Sequence, residues 1–355
     1  MKNATKIVMM ALCAALAMSS CKKNRYTPEE DNQAMPLEFT AVSQATMVKS
    51  GDVDLLSNYY SDFGVWGIAR NEDLVYNLWG SNALELVRQA SGTNNYIPDG
   101  AAYWLYGYKY NFIAIAPYQS GGVTGVVVDS DDVMTVTLDL SGKYDEAEDV
   151  VEEDIYKYES SEYGFDVMAA VAETDVIGSQ KPSSQALTFY HMMAKVCVAF
   201  EFKDDITGNV IQGTVKSMRI CNIDSEGKYS ISHSTTQNVP NVQTLPFSSD
   251  ENVKPKQEEI TLAPLDGHTT MNMNILPQNI ADCVMYLDFE VTKEDQTKIE
   301  ADNYMLALSA MPVLEYEANQ WYNWKLIITP RAVYFAEPTV QPWVDGAQIP
   351  SVDIK

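Results

Sequence analysis

The chain has 355 residues, 46% of them hydrophobic and 21% charged, and 49 acidic side chains against 24 basic ones give a formal net charge of −25. That balance argues against a nucleic-acid partner, because neutralising phosphates takes clustered Lys and Arg. It argues equally against adsorption of the protein body to an anionic bilayer. The length exceeds what one hydrophobic core usually serves, so two domains are expected.

The first elements in chain order concern export. Lys2 and Lys6 precede an unbroken apolar run over residues 7–18, and Ser19-Ser20-Cys21 follows at once. The run is too short for a permanent membrane span and fits the apolar region of a secretory signal. Small residues just before a cysteine predict a lipoprotein signal peptide over residues 1–20 and acylation of Cys21. Residues 21–34 are polar and lack apolar periodicity, which predicts a tether. The expected location is the outer membrane or cell surface, reached as an exported lipoprotein, with contact to the membrane through the lipid only.

From Met35 onward the pattern has a period of two. Met35, Leu37, Phe39 and Ala41 share one face of a first predicted strand, and further strands are expected at Phe63 to Ala69, Tyr108 to Tyr118, Gly125 to Val128 and Met134 to Leu140. The later ones are Thr188 to Phe202, Val215 to Ile223, Glu259 to Leu262, Thr270 to Leu276, Cys283 to Val291, Tyr304 to Ala310, Tyr322 to Ile328 and Ala332 to Phe335. Alternation of this kind puts apolar side chains on one face of a pleated sheet. Many short strands between Gly, Pro, Asn and Asp turns predict an all-β fold of β-sandwiches. Two short helical patterns stand apart, Ala83 to Ala90 and Phe165 to Ala172. Asp145 to Glu162 holds nine carboxylates and one lysine, and a polar stretch over residues 179–185 follows. That shift places a domain boundary near residue 187, giving domains 35–187 and 188–355. The acidic stretch lacks the Asp-x-Asp-x-Asp-Gly order of a calcium loop and reads as solvated.

Little here points to chemistry. Beyond Cys13 and Cys21, Cys197, Cys221 and Cys283 sit in apolar strand-like runs and read as small buried hydrophobes. His191, His233 and His268 form no metal-ligand pair, and neither a G-x-S-x-G elbow nor a phosphate-binding glycine loop is present. No catalytic residue, metal or cofactor is therefore expected, and the reading is not an enzyme. The densest aromatic cluster, Tyr103-Trp104-Leu105-Tyr106-Gly107-Tyr108, offers stacking surfaces for sugar rings or fills a core.

Several segments match a known family in order. Pro36-Leu37-Glu38-Phe39-Thr40-Ala41 is similar to its first strand and Phe63-Gly64-Val65-Trp66-Gly67 to its next. Tyr103-Trp104 with residues 110–117 (YNFIAIAP) resembles its Trp-Pro…Phe-x-Ala-Tyr-x-Pro stretch. Residues 189–196 (FYHMMAKV) resemble the Phe-x-His-x-Leu-Ala-Lys segment that opens its second domain. Arg219-Ile220-Cys221-Asn222-Ile223, Gly227-Lys228-Tyr229, Trp321-Tyr322-Asn323-Trp324 and Val340-Gln341-Pro342-Trp343 follow. The chain resembles the fimbrillins, pilin-like surface lipoproteins of type V pili (fimbriae).

The resemblance implies two tandem transthyretin-like β-sandwich domains and a structural or adhesive pilus subunit, tip or accessory, whose partners are other pilus subunits. It also implies assembly by strand addition: a trypsin-like protease cuts beyond the first strand, that strand leaves, and an extended segment of another subunit fills the groove. Lys49 is the matching candidate processing site, although the family usually has arginine there. Arg25 would release only the lipid, and a cut at Arg70 would take a second strand with it. Leu37, Phe39 and Ala41 mark the displaced or donor strand, and Trp343 to Lys355, interrupted by Pro350, is the other donor candidate. The alternative is a monomeric surface lipoprotein that binds glycan on the Tyr103 to Tyr108 cluster.

Overall fold

The computed structural model describes residues 35–43, 56, 60–72, 74–80, 84–91, 93–118, 122–129, 132–141, 166–178, 181–234, 238–250, 253–262, 270–336 and 338–342. Cys21, Lys49, the acidic stretch Asp145 to Glu162, His268 and Trp343 to Lys355 lie outside them. The first half runs β1 (Phe39–Ser43), β2 (Asp62–Arg70), β3 (Val75–Asn77), β4 (Glu85–Gln89) and β5 (Asn95–Pro98). It continues with β6 (Lys109–Ala116), β7 (Val123–Val128), β8 (Met134–Asp139), β9 (Met168–Glu173) and β10 (Gln185–His191). The second half runs β11 (Ala194–Phe202), β12 (Gln212–Asp224), β13 (Glu226–His233), β14 (Pro240–Leu245), β15 (Gln257–Leu262) and β16 (Thr270–Ile275). It ends with β17 (Val284–Thr292), β18 (Lys298–Ala307), β19 (Gln320–Ile328), β20 (Val333–Phe335) and β21 (Thr339–Pro342). The fold is all-β.

The largest sheet has the order β3-β2-β4-β5-β1-β10-β9-β6, and β6 also pairs with β2. β2 takes β4 at Asp62–Val65 and β3 at Ile68–Arg70 on one edge, and β6 along Gly64–Arg70 on the other. The sheet therefore closes into a ring, which removes the free edges an open sheet would present. Its interior is filled by Leu37, Phe39, Phe63, Tyr96, Trp104, Tyr110, Phe112, Leu187 and Phe189. The outer face of β2, β6 and β9 is also buried, through Trp66, Ile68, Ile113, Ile115, Ala169 and Val171. Burial on both faces explains why these strands read as apolar runs rather than clean alternations. Gly64 belongs to this tight layer: a Cβ there would stand 2.6 Å from the Tyr118 ring and 2.8 Å from Leu84.

The sheet that covers this outer face, β14-β13-β8-β7, draws strands from both halves. β8 and β13 pair antiparallel at six positions, from Asp139↔Glu226 to Met134↔Ile231. Two further sheets, β16-β11-β19 with β20 and β21 on the far edge of β19, and β15-β12-β17-β18, complete the second half. Val196, Val198, Trp324 and Leu326 of the first join Met218, Ile220, Met285 and Leu287 of the second in one core cluster.

Three details depart from the sequence reading. Both helical patterns are strands, β4 and β9. β4 is held between β2 and β5, so cross-strand pairing overrides local preference. β9 (MAAVAE) is buried at its first five positions, and a short apolar run buried on both faces has no periodicity to separate strand from helix. The single run Thr188 to Phe202 is two strands, β10 and β11, which part at Met192-Met193 and enter different sheets. The residue 187/188 boundary falls inside β10.

Candidate functional site

β1 is the element on which the pilin-like expectation turns. Its burial alternates strictly, and Leu37, Phe39, Ala41 and Ser43 all face the ring interior with at most 2% exposure. The Phe39 ring meets Phe63 edge-on at 5.9 Å and 80°, and Phe112 at 5.3 Å and 89°. Phe63 in turn packs on Tyr96 at 5.1 Å and Phe189 at 5.2 Å. Fully burying a Leu or Phe side chain stabilises by roughly 1.5–3 kcal/mol each, and edge-to-face aromatic contacts add about 0.5–1.5 kcal/mol. Phe39 is the keystone of an aromatic cluster.

The backbone of β1 is held less extensively. It pairs in parallel with β10 from Phe39↔Gln185 to Ser43↔Phe189, and antiparallel with β5 only at Phe39↔Tyr96 and Thr40↔Asn95. Three more bonds tie its approach: Gln185 N donates to Glu38 O at 2.7 Å, Leu37 N to Ala102 O at 2.9 Å, and Trp104 N to Met35 O at 3.1 Å. At the other end the Ser43 hydroxyl is buried and has no hydrogen-bond partner among the described residues.

The walls of the seat have their own fastening. His191 Nδ1 stands 2.7 Å from Asp166 Oδ2, with both side chains 3% exposed, at the junction of β10 and β9. Tyr60 donates its hydroxyl to Asp166 O at 2.9 Å, and Tyr96 donates to Tyr60 O at 3.2 Å. Met192 N reaches Val167 O at 2.7 Å. His191 is thus a buried, partnered imidazole. Its partner lies 25 residues upstream, beyond an unpatterned stretch, and no sequence signal joins the two. If β1 leaves, the ring opens between β5 and β10 while this pair still binds β10 to β9.

The other sequence-predicted positions separate. Arg70 closes β2, a strand paired on both edges, and its guanidinium meets Asp132 at 2.5 Å. The Tyr103 to Tyr108 cluster is split. Trp104 turns inward, 1% exposed and packed on Tyr110 at 4.8 Å, so it offers no stacking face to a sugar. Tyr103, Leu105 and Tyr106 face out. Tyr110 accepts from Leu105 N and donates to Tyr103 O, fixing this loop over the ring end, and burial pushes its hydroxyl up to about 12. Cys197 and Cys283 are buried thiols pushed up to about 11 and about 12 by desolvation, whereas Cys221 is half-buried. His233 ends β13, and burial lowers its pKa. Among the described residues, no three His, Cys, Asp or Glu side chains converge as metal ligands. What the ring offers is a strand-shaped seat with four inward side-chain positions.

Comparison with known proteins fits this geometry. A family model described as fimbrillin-like matches residues 57–343. No curated protein matches the chain. A fimbrial protein from Bacteroides vulgatus aligns with a TM-score of 0.51 at 11% identity, covering 86% of this chain and 99% of that one. A candidate cell adhesion protein from Bacteroides ovatus aligns with a TM-score of 0.49 at 15% identity, covering 88% and 99%. At such identities the likeness concerns the fold alone. The family match spans well over half of the sequence, so the chain belongs to the fimbrillin-like family and is a fimbrial or adhesion subunit of the cell surface.

Proposed function

We propose that the protein is a structural and adhesive subunit of a type V pilus, tip or accessory rather than main shaft, assembled by strand addition after β1 is removed. In this reading it is exported as an outer-membrane lipoprotein acylated at Cys21. A trypsin-like protease then cuts after Lys49, and an extended segment of another subunit takes the place of β1. The donor is either Met35 to Ala41 or Trp343 to Lys355. The protein is structural rather than catalytic. Two tandem sandwich domains divided near residues 187/188 accompany this reading.

The observation that carries the proposal is the construction of the β1 seat. Its inward side chains are buried, its ladder is short, and the flanking wall is pinned by Asp166–His191 without help from β1. A strand held by keyed side chains can be exchanged for another with the same key, because main-chain bonding is common to every sequence and pockets supply selectivity. An emptied seat would expose aromatic surface and unpaired backbone, so the refilled state is strongly favoured.

Limited digestion of folded residues 22–355 with a trypsin-like protease tests this, read by intact mass and an unheated gel. The expected result is a single cut at Lys49 with departure of residues 22–49, and a ladder of oligomers alongside it would identify a self-polymerising shaft subunit instead of a tip or accessory one. A chain that resists, or is trimmed only at Arg25 and stays monomeric, overturns the strand-addition reading.

A further inference from the structure

The β16-β11-β19 sheet turns one face to the core of the second half, through Val196, Val198, Trp324 and Leu326. Its other face holds polar groups out of water. Lys195 pairs in register with Asn274 on one side and Trp321 on the other, and Trp321 pairs with Gln341 of β21. Two residues along β11, Cys197 stands opposite Asn323. Alternation turns these side chains away from Val196 and Trp324. Even so, Lys195 is 4% exposed, and Asn274 and Trp321 1% each. The Lys195 Nζ lies 4.6 Å from the centre of the Trp321 ring. Both amide atoms of Asn274, both of Asn323 and the Trp321 Nε1 are buried without a hydrogen-bond partner among the described residues. Buried amides are normally bonded, because leaving one unmatched costs the full desolvation of the group.

We infer that this face is the seat of the chain's own residues 343–355, which cross it from β21 toward β16 with Asp345 paired to Lys195. β21 delivers the segment to the right place, since it ends at Pro342 opposite Gln320, one position from the Trp321–Gln341 pair. The length also fits. β11 lies two strand spacings from β21, which is about 10 Å. Three extended residues, at about 3.3 Å apiece, cover the same distance. The third residue beyond Pro342 is Asp345. Its carboxylate complements an ammonium group that has been taken out of water, where an opposite charge matters most. The asparagines suit the rest of the crossing. A side-chain amide has a donor side and an acceptor side, so Asn323 and Asn274 can each hold a passing peptide group by its C=O and its N–H. The Trp321 N–H adds a donor for one more carbonyl. The inference goes beyond strand addition and does not depend on it: a segment held this way closes its own subunit and is not free to enter the β1 seat of another.

The test compares folded residues 22–355 with the Asp345→Asn variant and with a chain ended after Pro342. Alkylation of Cys197, on the same face as Lys195, reads the cover. Alkylation of Cys283, buried beside β17 in the opposite sheet, reads general opening. Cys197 should label about tenfold faster or more in the shortened chain, and clearly faster in Asp345→Asn, with Cys283 unchanged in both. A peptide of residues 343–355 added to the shortened chain should restore slow labelling of Cys197, and the same peptide carrying Asp345→Asn should not at equal concentration. Equal labelling of Cys197 in all three chains overturns the inference. A rise at Cys283 in step with Cys197 overturns it too, because the half then opens as a whole. Protection kept in Asp345→Asn but lost in the shortened chain overturns the pairing with Lys195. All of these readings are made on uncut chains, so a failure of cleavage at Lys49 or of assembly leaves them unaffected.

Discussion

β1 and β11 open the two halves and each runs parallel to a late strand of its own half, yet they are held in opposite ways. β11 spans nine residues, pairs with β19 at nine positions and with β16 at six. β1 spans five residues and pairs with β10 at five positions and β5 at two. β11 is buried on both faces over its first five residues, whereas β1 is buried only on alternate ones. β11 is joined along its whole length by backbone. β1 is fixed by Leu37, Phe39 and Ala41. The first arrangement makes a strand integral to its sheet, and the second leaves a strand held chiefly by its inward side chains, as the proposed exchange requires.

The largest test of this contrast is Phe39→Ala, which should cost roughly 3–5 kcal/mol. Amide hydrogen exchange should then rise first within residues 35–43, while β11 stays protected. By contrast, Val198→Ala in β11 should lower global stability without selective opening of its own strand. Local opening of β11 instead would break the comparison.

Next comes Asp166→Asn, which keeps the shape but removes the charge facing His191. Losing a hydrogen bond to a charged partner should cost about 1.5–3 kcal/mol in thermal or urea unfolding. The emptied seat should accept a β1 peptide more slowly, because β10 is less firmly tied to β9. Peptide uptake at the wild-type rate would show that the wall does not depend on the pair.

A third test uses pH. Tyr110, Cys197 and Cys283 have pKa values raised by burial to about 12, 11 and 12. Raised values favour the neutral form in the folded chain, so the contribution is fully present below the unfolded values of about 9 for thiols and 10 for tyrosine. It is lost as pH rises toward 11–12. Urea midpoints should hold to about pH 9 and then fall. At pH 8, alkylation of the folded chain should reach half-buried Cys221 before Cys197 or Cys283. Equal labelling of the three would mean that the second half opens as readily as the β1 seat.

The smallest effect is expected on the surface of the second half. Glu300→Gln removes a pair with Lys216 in which both side chains are well exposed. Stability should move by no more than about 0.5 kcal/mol.

Much of the contrast was legible in the sequence. Alternation at Leu37, Phe39 and Ala41 gave β1 its inward face, and the same period marked β8, β17 and β19. The ring was not legible, because β2, β6 and β9 are buried on both faces and lose their period. Nor were β4 and β9, whose short apolar runs fit a helix as well as a strand until cross-strand partners decide. The Asp166–His191 pair was hidden because contact across the fold leaves no local spacing to read. From composition Trp104 read equally as a stacking aromatic or as core. Only its position over Tyr110 makes it core.

The sheet shared between the halves has a mechanical consequence. β8 and β13 are joined by a six-position antiparallel ladder, so the halves cannot be pulled apart by bending a linker. Tension applied through a strand seated in the ring passes by way of β6 and β2 to the layer beneath them and on into the second half. It meets paired backbone rather than slack chain. A fibre built from such units would stretch little before a whole ladder gives way.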